Sequence, residues 1–309
     1  MPSRLTVVLV SLLLATPAFA FWLWLVILPA RVAILCPEKC ECDTGGYFVD
    51  CSSTALTAVP LIHFTNVRVL SLSHNEITLL EKISFVSMTE LVSLNLDQCG
   101  LRKIELGAFN GLTKLKLLSY SGNKVSEFTP CTFENMSNLE YLYISYNRIE
   151  HLNRDVFSRM GAFNGLTKLT KLSISCNEIS EIIPGTFENM SSLEYLDISY
   201  NKIEHLDKDV FSGLGAFNGL TKLTKLSISG NEISEIIPGT FENMNSLEYL
   251  DISYNRIEHL DRNMFSRLGA FNWLTKLTKL SMSNNKISEL LTGTFVSMSS
   301  LESLNLCYN

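Results

Sequence analysis

The chain has 309 residues, 46% of them hydrophobic, which is ample for a buried core and excludes disorder over most of its length. Of its 25 basic residues two, Arg4 and Arg31, precede Cys36, leaving 23 against 31 acidic residues and a net charge of −8. That balance argues against a nucleic-acid partner, which calls for clustered Lys and Arg.

The first element is apolar. No residue from Leu5 to Ala30 is charged, and the run follows Arg4, which makes the basic start and apolar stretch of a secretory signal. Ala18-Phe19-Ala20 supplies the small-residue cleavage pattern. The run nevertheless continues from Phe21 to Leu28, long enough to span a bilayer as an uncleaved anchor. Residues 1–33 therefore read as a signal peptide or a signal anchor. With Arg4 held inside, both readings deliver the residues after Ile34 to the outside, secreted or on the cell surface. Membrane attachment would come only from that anchor or from a span after Asn309.

Residues 34–66 hold Cys36, Cys40, Cys42 and Cys51 in the string CPEKCECDTGGYFVDC. In an exported chain four clustered cysteines read as two disulfides, and spacing alone leaves three pairings open. A zinc site would need a reducing compartment and tetrahedral thiolate spacing, so no metal is assigned. Cys99, Cys131, Cys176 and Cys307 are scattered and read as unpaired thiols.

From Val67 to Asn309 the chain repeats about ten times, the last unit incomplete. Each unit has Leu-type residues at its first, fourth and sixth places, Asn at the ninth, an aliphatic at the eleventh and Phe at the nineteenth. Units begin at Val67, Leu91, Leu115, Leu139, Leu169, Leu193, Leu223, Leu247, Leu277 and Leu301, and at the ninth place only Cys99 departs from Asn. In LEYLDISYN the alternation turns Leu193, Leu196 and Ile198 inward and Tyr195, Asp197 and Ser199 outward. One such strand cannot bury its apolar side, whereas stacked coils can. The expected fold is thus an α/β solenoid, a horseshoe with parallel strands on its concave face. Phe85, Phe109, Phe133, Phe157, Phe187, Phe211, Phe241, Phe265 and Phe295 are expected to form a convex spine. Asn at the ninth place is suited to satisfy backbone groups where the chain leaves the strand.

Units of 24 and 30 residues alternate from Leu115, and residues 169–222 match 223–276 at 46 of 54 places. The longer units carry an additional GAFNGL or GAFNWL with Phe163, Phe217 and Phe271, expected to add a convex turn. Core and surface positions match equally well, so duplication accounts for the likeness without a ligand.

CPEKCECDTGGYFVDCSSTALTAVP followed by LxxLxLSxNxI units resembles the extracellular leucine-rich-repeat superfamily with a cysteine-rich N-terminal cap, as in Toll-like receptor ectodomains, Slit proteins and lamprey variable lymphocyte receptors. The resemblance covers Cys36 to Asn309. It implies pairing of Cys36 with Cys42 and of Cys40 with Cys51, and recognition of protein or glycan partners on the arc. Such proteins usually end in a second cysteine-rich cap, whereas this sequence stops at LESLNLCYN without one. An uncapped final strand from Leu301 to Leu306 is expected to self-associate through its edge.

Candidate ligand-binding residues are set by the outward positions. They are Tyr141, Tyr143 and Tyr146, then Tyr195, Asp197 and Tyr200, then Tyr249, Asp251 and Tyr254, with Lys171, Lys225 and Lys279 between them. Tyrosine gives rigid amphipathic contact area at little entropic cost. The competing reading of the charges is that Asp and Lys on neighbouring strands satisfy each other. His151, His205 and His259 recur two coils apart, roughly 10 Å, too far to share an ion whose ligands lie about 2 Å away. Asn135 and Asn189 begin Asn-Met-Ser acceptors and are expected to carry N-glycans, while the third copy at Asn243 has lost its acceptor. No Ser-His-Asp set, phosphate loop or zinc-protease helix occurs, and no cofactor is implied. The functional reading is an extracellular ligand-recognition scaffold, the alternative an adhesion or matrix module, with an enzyme a distant third.

Overall fold

The computed structural model describes residues 36–62, 65–128, 132–133, 136–152, 166–182, 186–187, 190–206, 217, 219–236, 240–258, 271, 274–289, 295 and 298–309. The signal or anchor segment, Asn135, Asn189, His259, Cys131, and Phe157, Phe163, Phe211 and Phe265 lie outside the described residues.

The strands in chain order are β1 (Glu41–Cys42), β2 (Phe48–Asp50), β3 (Val69–Ser71), β4 (Leu79–Leu80), β5 (Ser93–Asn95), β6 (Lys103–Ile104) and β7 (Leu117–Ser119). They continue with β8 (Tyr141–Tyr143), β9 (Lys171–Ser173), β10 (Tyr195–Asp197), β11 (Lys225–Ser227), β12 (Tyr249–Asp251), β13 (Lys279–Ser281) and β14 (Ser303–Asn305). Twelve of them make one sheet, in which β4 and β6 take no part; those two pair with each other on a separate side of the coils. β1 and β2 form an antiparallel hairpin, and from β2 onward every neighbour is parallel. Among the described residues the return half of each coil is turn and bend rather than helix. The architecture is therefore a leucine-rich-repeat solenoid of stacked parallel strands. Its N-terminal hairpin carries two disulfides, Cys36–Cys42 and Cys40–Cys51.

In the sheet each three-residue strand from β3 to β13 has a buried leucine at its centre, as in Tyr195-Leu196-Asp197, where the side chains on both sides turn outward. A slip of one residue would turn Leu196 outward and drive Tyr195 and Asp197 into the core, which fixes the register. Leu193, Leu196 and Ile198 are fully buried. Each such side chain contributes roughly 1.5–3 kcal/mol relative to exposure.

The ninth-place asparagines from Asn75 to Asn285 are buried and engaged. Asn201 Nδ2 donates to the carbonyls of Ile198 (3.0 Å), Ser199 (3.2 Å) and, in the preceding coil, Ile174 (3.2 Å), while its Oδ1 accepts the Ile179 N–H at 3.1 Å. One side chain thereby closes its own turn and ties it to the coil before, as buried backbone groups require. Cys99 keeps only part of this role, its thiol donating to the Leu72 carbonyl at 3.0 Å. Burial pushes that thiol up to about 11, so it stays protonated.

The opposite side of the coils is held by stacked phenylalanines. Ring centroids lie 6.2 Å apart for Phe85–Phe109, 6.1 Å for Phe109–Phe133 and Phe187–Phe217, and 6.0 Å for Phe217–Phe241. Strands in a sheet are only about 4.8 Å apart. Coils that are closer along the sheet than along the spine must fan outward, which puts the sheet on the concave face. Phe217 and Phe271, which a count to the nineteenth place does not select, take spine positions. The spine residue keeps a fixed distance of six residues from the next coil's first leucine, as Phe187 does from Leu193 and Phe217 from Leu223. It is registered by the strand that follows it.

One core position carries a cost. Tyr120 occupies a sixth place, where neighbouring coils have Leu96 and Ile144, and its hydroxyl is buried with no hydrogen-bond partner among the described residues. Burial of that group holds its phenol well above the usual range. Tyr120→Phe is expected to raise stability by about 1 kcal/mol, since it removes an unsatisfied buried group at nearly constant shape. An unchanged or lowered urea midpoint would show that the hydroxyl has a partner.

Candidate functional site

The concave face places the predicted residues in alternating rows. Tyr195 of β10 stands directly opposite Lys171 of β9 and Lys225 of β11, and Tyr249 of β12 opposite Lys225 and Lys279. Tyr141 likewise faces Lys171, whose ammonium lies 5.9 Å from the Tyr141 ring centroid, a cation–π contact. Along the other outward column Asp197 stands opposite Ser173 and Ser227, and Asp251 opposite Ser227 and Ser281. The structure brings together Tyr141, Tyr143, Lys171, Tyr195, Asp197, Lys225, Tyr249, Asp251 and Lys279 on one continuous surface.

Register settles how the charges are used. Lysine faces tyrosine and aspartate faces serine, so neighbouring strands do not pair Asp with Lys directly. Among the described residues no ion pair engages Lys171, Lys225 or Lys279, or Asp197 or Asp251. Charges at the tenth place behave differently: Lys202 pairs with Glu178 and Arg256 with Glu232, both at 2.8 Å. Those tenth-place pairs are surface contacts of small value. The carboxylates of the face are instead held by their own turns. Asp197 Oδ1 accepts the Ser199 N–H (3.0 Å) and hydroxyl (2.6 Å), and Asp251 Oδ1 is held in the same way by Ser253. Beside them, burial and then the Asp197 charge hold the Tyr195 phenol above its ordinary range, and burial and Asp251 do the same for Tyr249. Both hydroxyls therefore remain donors at neutral pH.

A third row runs along the eighth place. Tyr146, Tyr200 and Tyr254 are exposed (66%, 57% and 56%) and have φ of 56°, 53° and 54°. The same left-handed backbone recurs at the eighth place of the neighbouring coils, where Gly122, Cys176, Gly230 and Asn284 alternate with the tyrosines. This geometry favours Gly and Asn, and disfavours larger side chains by about 1 kcal/mol or more. A Cβ on Gly230 would come within 2.7 Å of the Tyr200 ring, so the tyrosine leans over the bare position of the next coil. Tyr146 lies beside Cys176, and a hydrogen bond with that thiol raises its phenol. The sequence places these tyrosines on the face but does not reveal that they sit in strained backbone. The hint was there in Gly122, Gly230 and Asn284 at the same place of other coils.

Because Asn284 shows that Asn fits this backbone, Tyr200→Asn is expected to leave stability unchanged or raise it by roughly 0.5 kcal/mol. A loss above about 1 kcal/mol in chemical denaturation would mean that the ring is held for packing.

The leucine-rich-repeat family model matches residues 50–101, 89–149, 121–167, 167–221 and 221–275, and a second leucine-rich-repeat model matches 276–298. The chain belongs to the leucine-rich-repeat family. It is 28% identical to lumican from Rattus norvegicus over 164 residues, which covers 48% of this chain and 45% of that protein. It is 31% identical to Tsukushi-A from Xenopus laevis over 105 residues, 34% of this chain and 27% of the relative. The chain thus spans less than half the length of these relatives. Among solved structures, the TLR13–ssRNA13 complex is similar with a TM-score of 0.68 and 30% identity over 78% of this chain and 33% of that one. An internalin, InlF of Listeria monocytogenes, is similar with a TM-score of 0.52 and 25% identity, covering 79% of this chain and 69% of that one. The paired cap cysteines and these relatives assign this leucine-rich-repeat chain to the outside of the cell, secreted or at the cell surface.

Proposed function

We propose that this leucine-rich-repeat chain is a non-enzymatic recognition scaffold that binds a protein or glycan partner on its concave sheet, centred on Tyr195, Asp197, Tyr249 and Asp251. One observation carries the reading: among the described residues Lys171, Lys225, Lys279, Asp197 and Asp251 have no ionic partner, while at the tenth place Lys202 pairs with Glu178 and Arg256 with Glu232. Charges held apart beside half-buried tyrosines are available to a ligand, and aromatic anchors near an interface centre dominate its energy. Likeness to lumican and to TLR13 supports a binding or matrix scaffold. The TLR13 neighbour was solved with ssRNA13; here Asp197 and Asp251 share the face and the exported part carries net −8, which weighs against nucleic acid.

The test compares binding of the whole secreted chain to matrix laid down by cultured cells. Replacing Tyr195, Asp197, Tyr249 and Asp251 together by Ala is expected to weaken binding at least about tenfold, the effect of losing ~1.4 kcal/mol. Glu242→Ala, on the other side of the coils, is expected to leave it unchanged. Equal effects from both variants would move the site off the concave face.

A further inference from the structure

The rows of the concave face repeat every two coils. One module has Tyr195, Asp197 and Tyr200 on one coil and Lys225, Ser227 and Gly230 on the next; the following module has Tyr249, Asp251 and Tyr254, then Lys279, Ser281 and Asn284. The preceding module has the same layout, with Tyr143 in the aspartate's place. Two strand spacings amount to about 10 Å. The face is therefore a row of three near-equivalent subsites on a pitch of about 10 Å. Duplication explains why the modules are alike. It does not explain why the bulky member of each eighth-place pair stands in left-handed backbone that Gly or Asn would fill without strain.

We infer that the occupant is itself a linear polymer of that pitch, an unsulfated polysaccharide of alternating uronic acid and N-acetylhexosamine lying across the strands; this rests on the concave-face reading above. The pitch excludes an extended peptide, whose side chains recur on one face every ~6.8 Å and fall out of step within one module. Charge density, not pitch, disfavours a nucleic-acid strand, which brings a charge every ~3.4 Å, about three per module, against one lysine. A polyproline-type helix repeats every ~9.3 Å and would keep step, but a proline-rich chain brings no regular anion to Lys225 and Lys279 and few N–H donors to the aspartates. A two-sugar repeat matches the pitch, and in the modules of Asp197 and Asp251 it matches all three chemistries; the Tyr141 module offers the lysine and the aromatic surface. The repeat's carboxylate meets the lysine, its acetamide N–H meets the aspartate oxygen that the turn leaves over, Oδ2, which in Asp251 has only the long 3.4 Å contact from the Tyr249 hydroxyl, and a sugar ring lies on the tyrosines. Sulfates would add anions beside Asp197 and Asp251, which disfavours the sulfated forms.

Titration calorimetry of the full chain with hyaluronan oligosaccharides of two, four, six and eight sugars tests this. Affinity is expected to rise roughly tenfold with each added disaccharide up to six sugars and then level off, as three linked subsites fill. Lys225→Gln, an exposed substitution that leaves the core untouched, should remove about one tenfold step from the hexasaccharide. Absence of binding, affinity independent of length, or tighter binding of chondroitin sulfate or a proline-rich peptide would overturn the assignment. If hyaluronan fails while the four-alanine variant still loses matrix binding, the face stands and the polymer falls. If neither changes, both readings fall.

Discussion

Asn201→Ala lowers the unfolding free energy by about 3–5 kcal/mol, the range reached when several buried polar groups lose their partner at once. The carboxamide serves four backbone groups, the carbonyls of Ile198, Ser199 and Ile174 and the N–H of Ile179, and it is itself buried. Alanine fills none of these roles, and each desolvated group left behind costs ~1–3 kcal/mol. Since each coil touches only its neighbours, the damage should be local. Hydrogen exchange at the Ile179 amide should accelerate while the cap strand β2 and the first-repeat strand β3 keep their protection. A cost below about 1 kcal/mol in urea denaturation would mean that water substitutes for the side chain.

Phe217→Ala is expected to cost about 3–5 kcal/mol, as truncation of a fully buried phenylalanine generally does. The ring stacks at 6.1 Å on Phe187 and 6.0 Å on Phe241, with interplanar angles of 7° and 5°, so its loss opens a gap in the middle of the spine. Leucine at the same position retains much of the volume and should recover at least half of the loss. If Phe217→Ala lowers the denaturation midpoint no more than Glu242→Ala does, the spine does not depend on this ring.

These two residues also show what the sequence made legible. Asn201 was readable because its place is counted from the strand that carries it, and nine of the ten units agree. The outward residues of the concave face were readable for the same reason, since alternation dictates them. Phe217 was not, because a 30-residue unit offers two phenylalanines and counting forward from the strand picks the other. Packing against the following coil seats Phe217, and no forward count contains that information. The use of the charges was equally hidden. Whether a lysine meets an aspartate or a tyrosine depends on cross-strand register, and whether a tyrosine stands in left-handed backbone depends on a turn shared by every coil.

The two-coil alternation also restricts how this molecule can change in length. Excising the single coil 223–246 would seat Tyr195 beside Tyr249 and bring Asp197 against Asp251, like charges facing each other across adjacent strands. Tyr200 would then lean onto the place of Tyr254, where the bare Gly230 had been, and a Cβ at that place meets the ring. Excising residues 193–246 instead joins a short unit to a long one as before, with Lys171 set against Tyr249 just as Lys225 is in the longer arc, so every junction repeats a kind already present. Growth and loss by tandem recombination are therefore quantised in pairs of coils: an odd step breaks the parity of the face, and an even step only changes how many times its pattern is read.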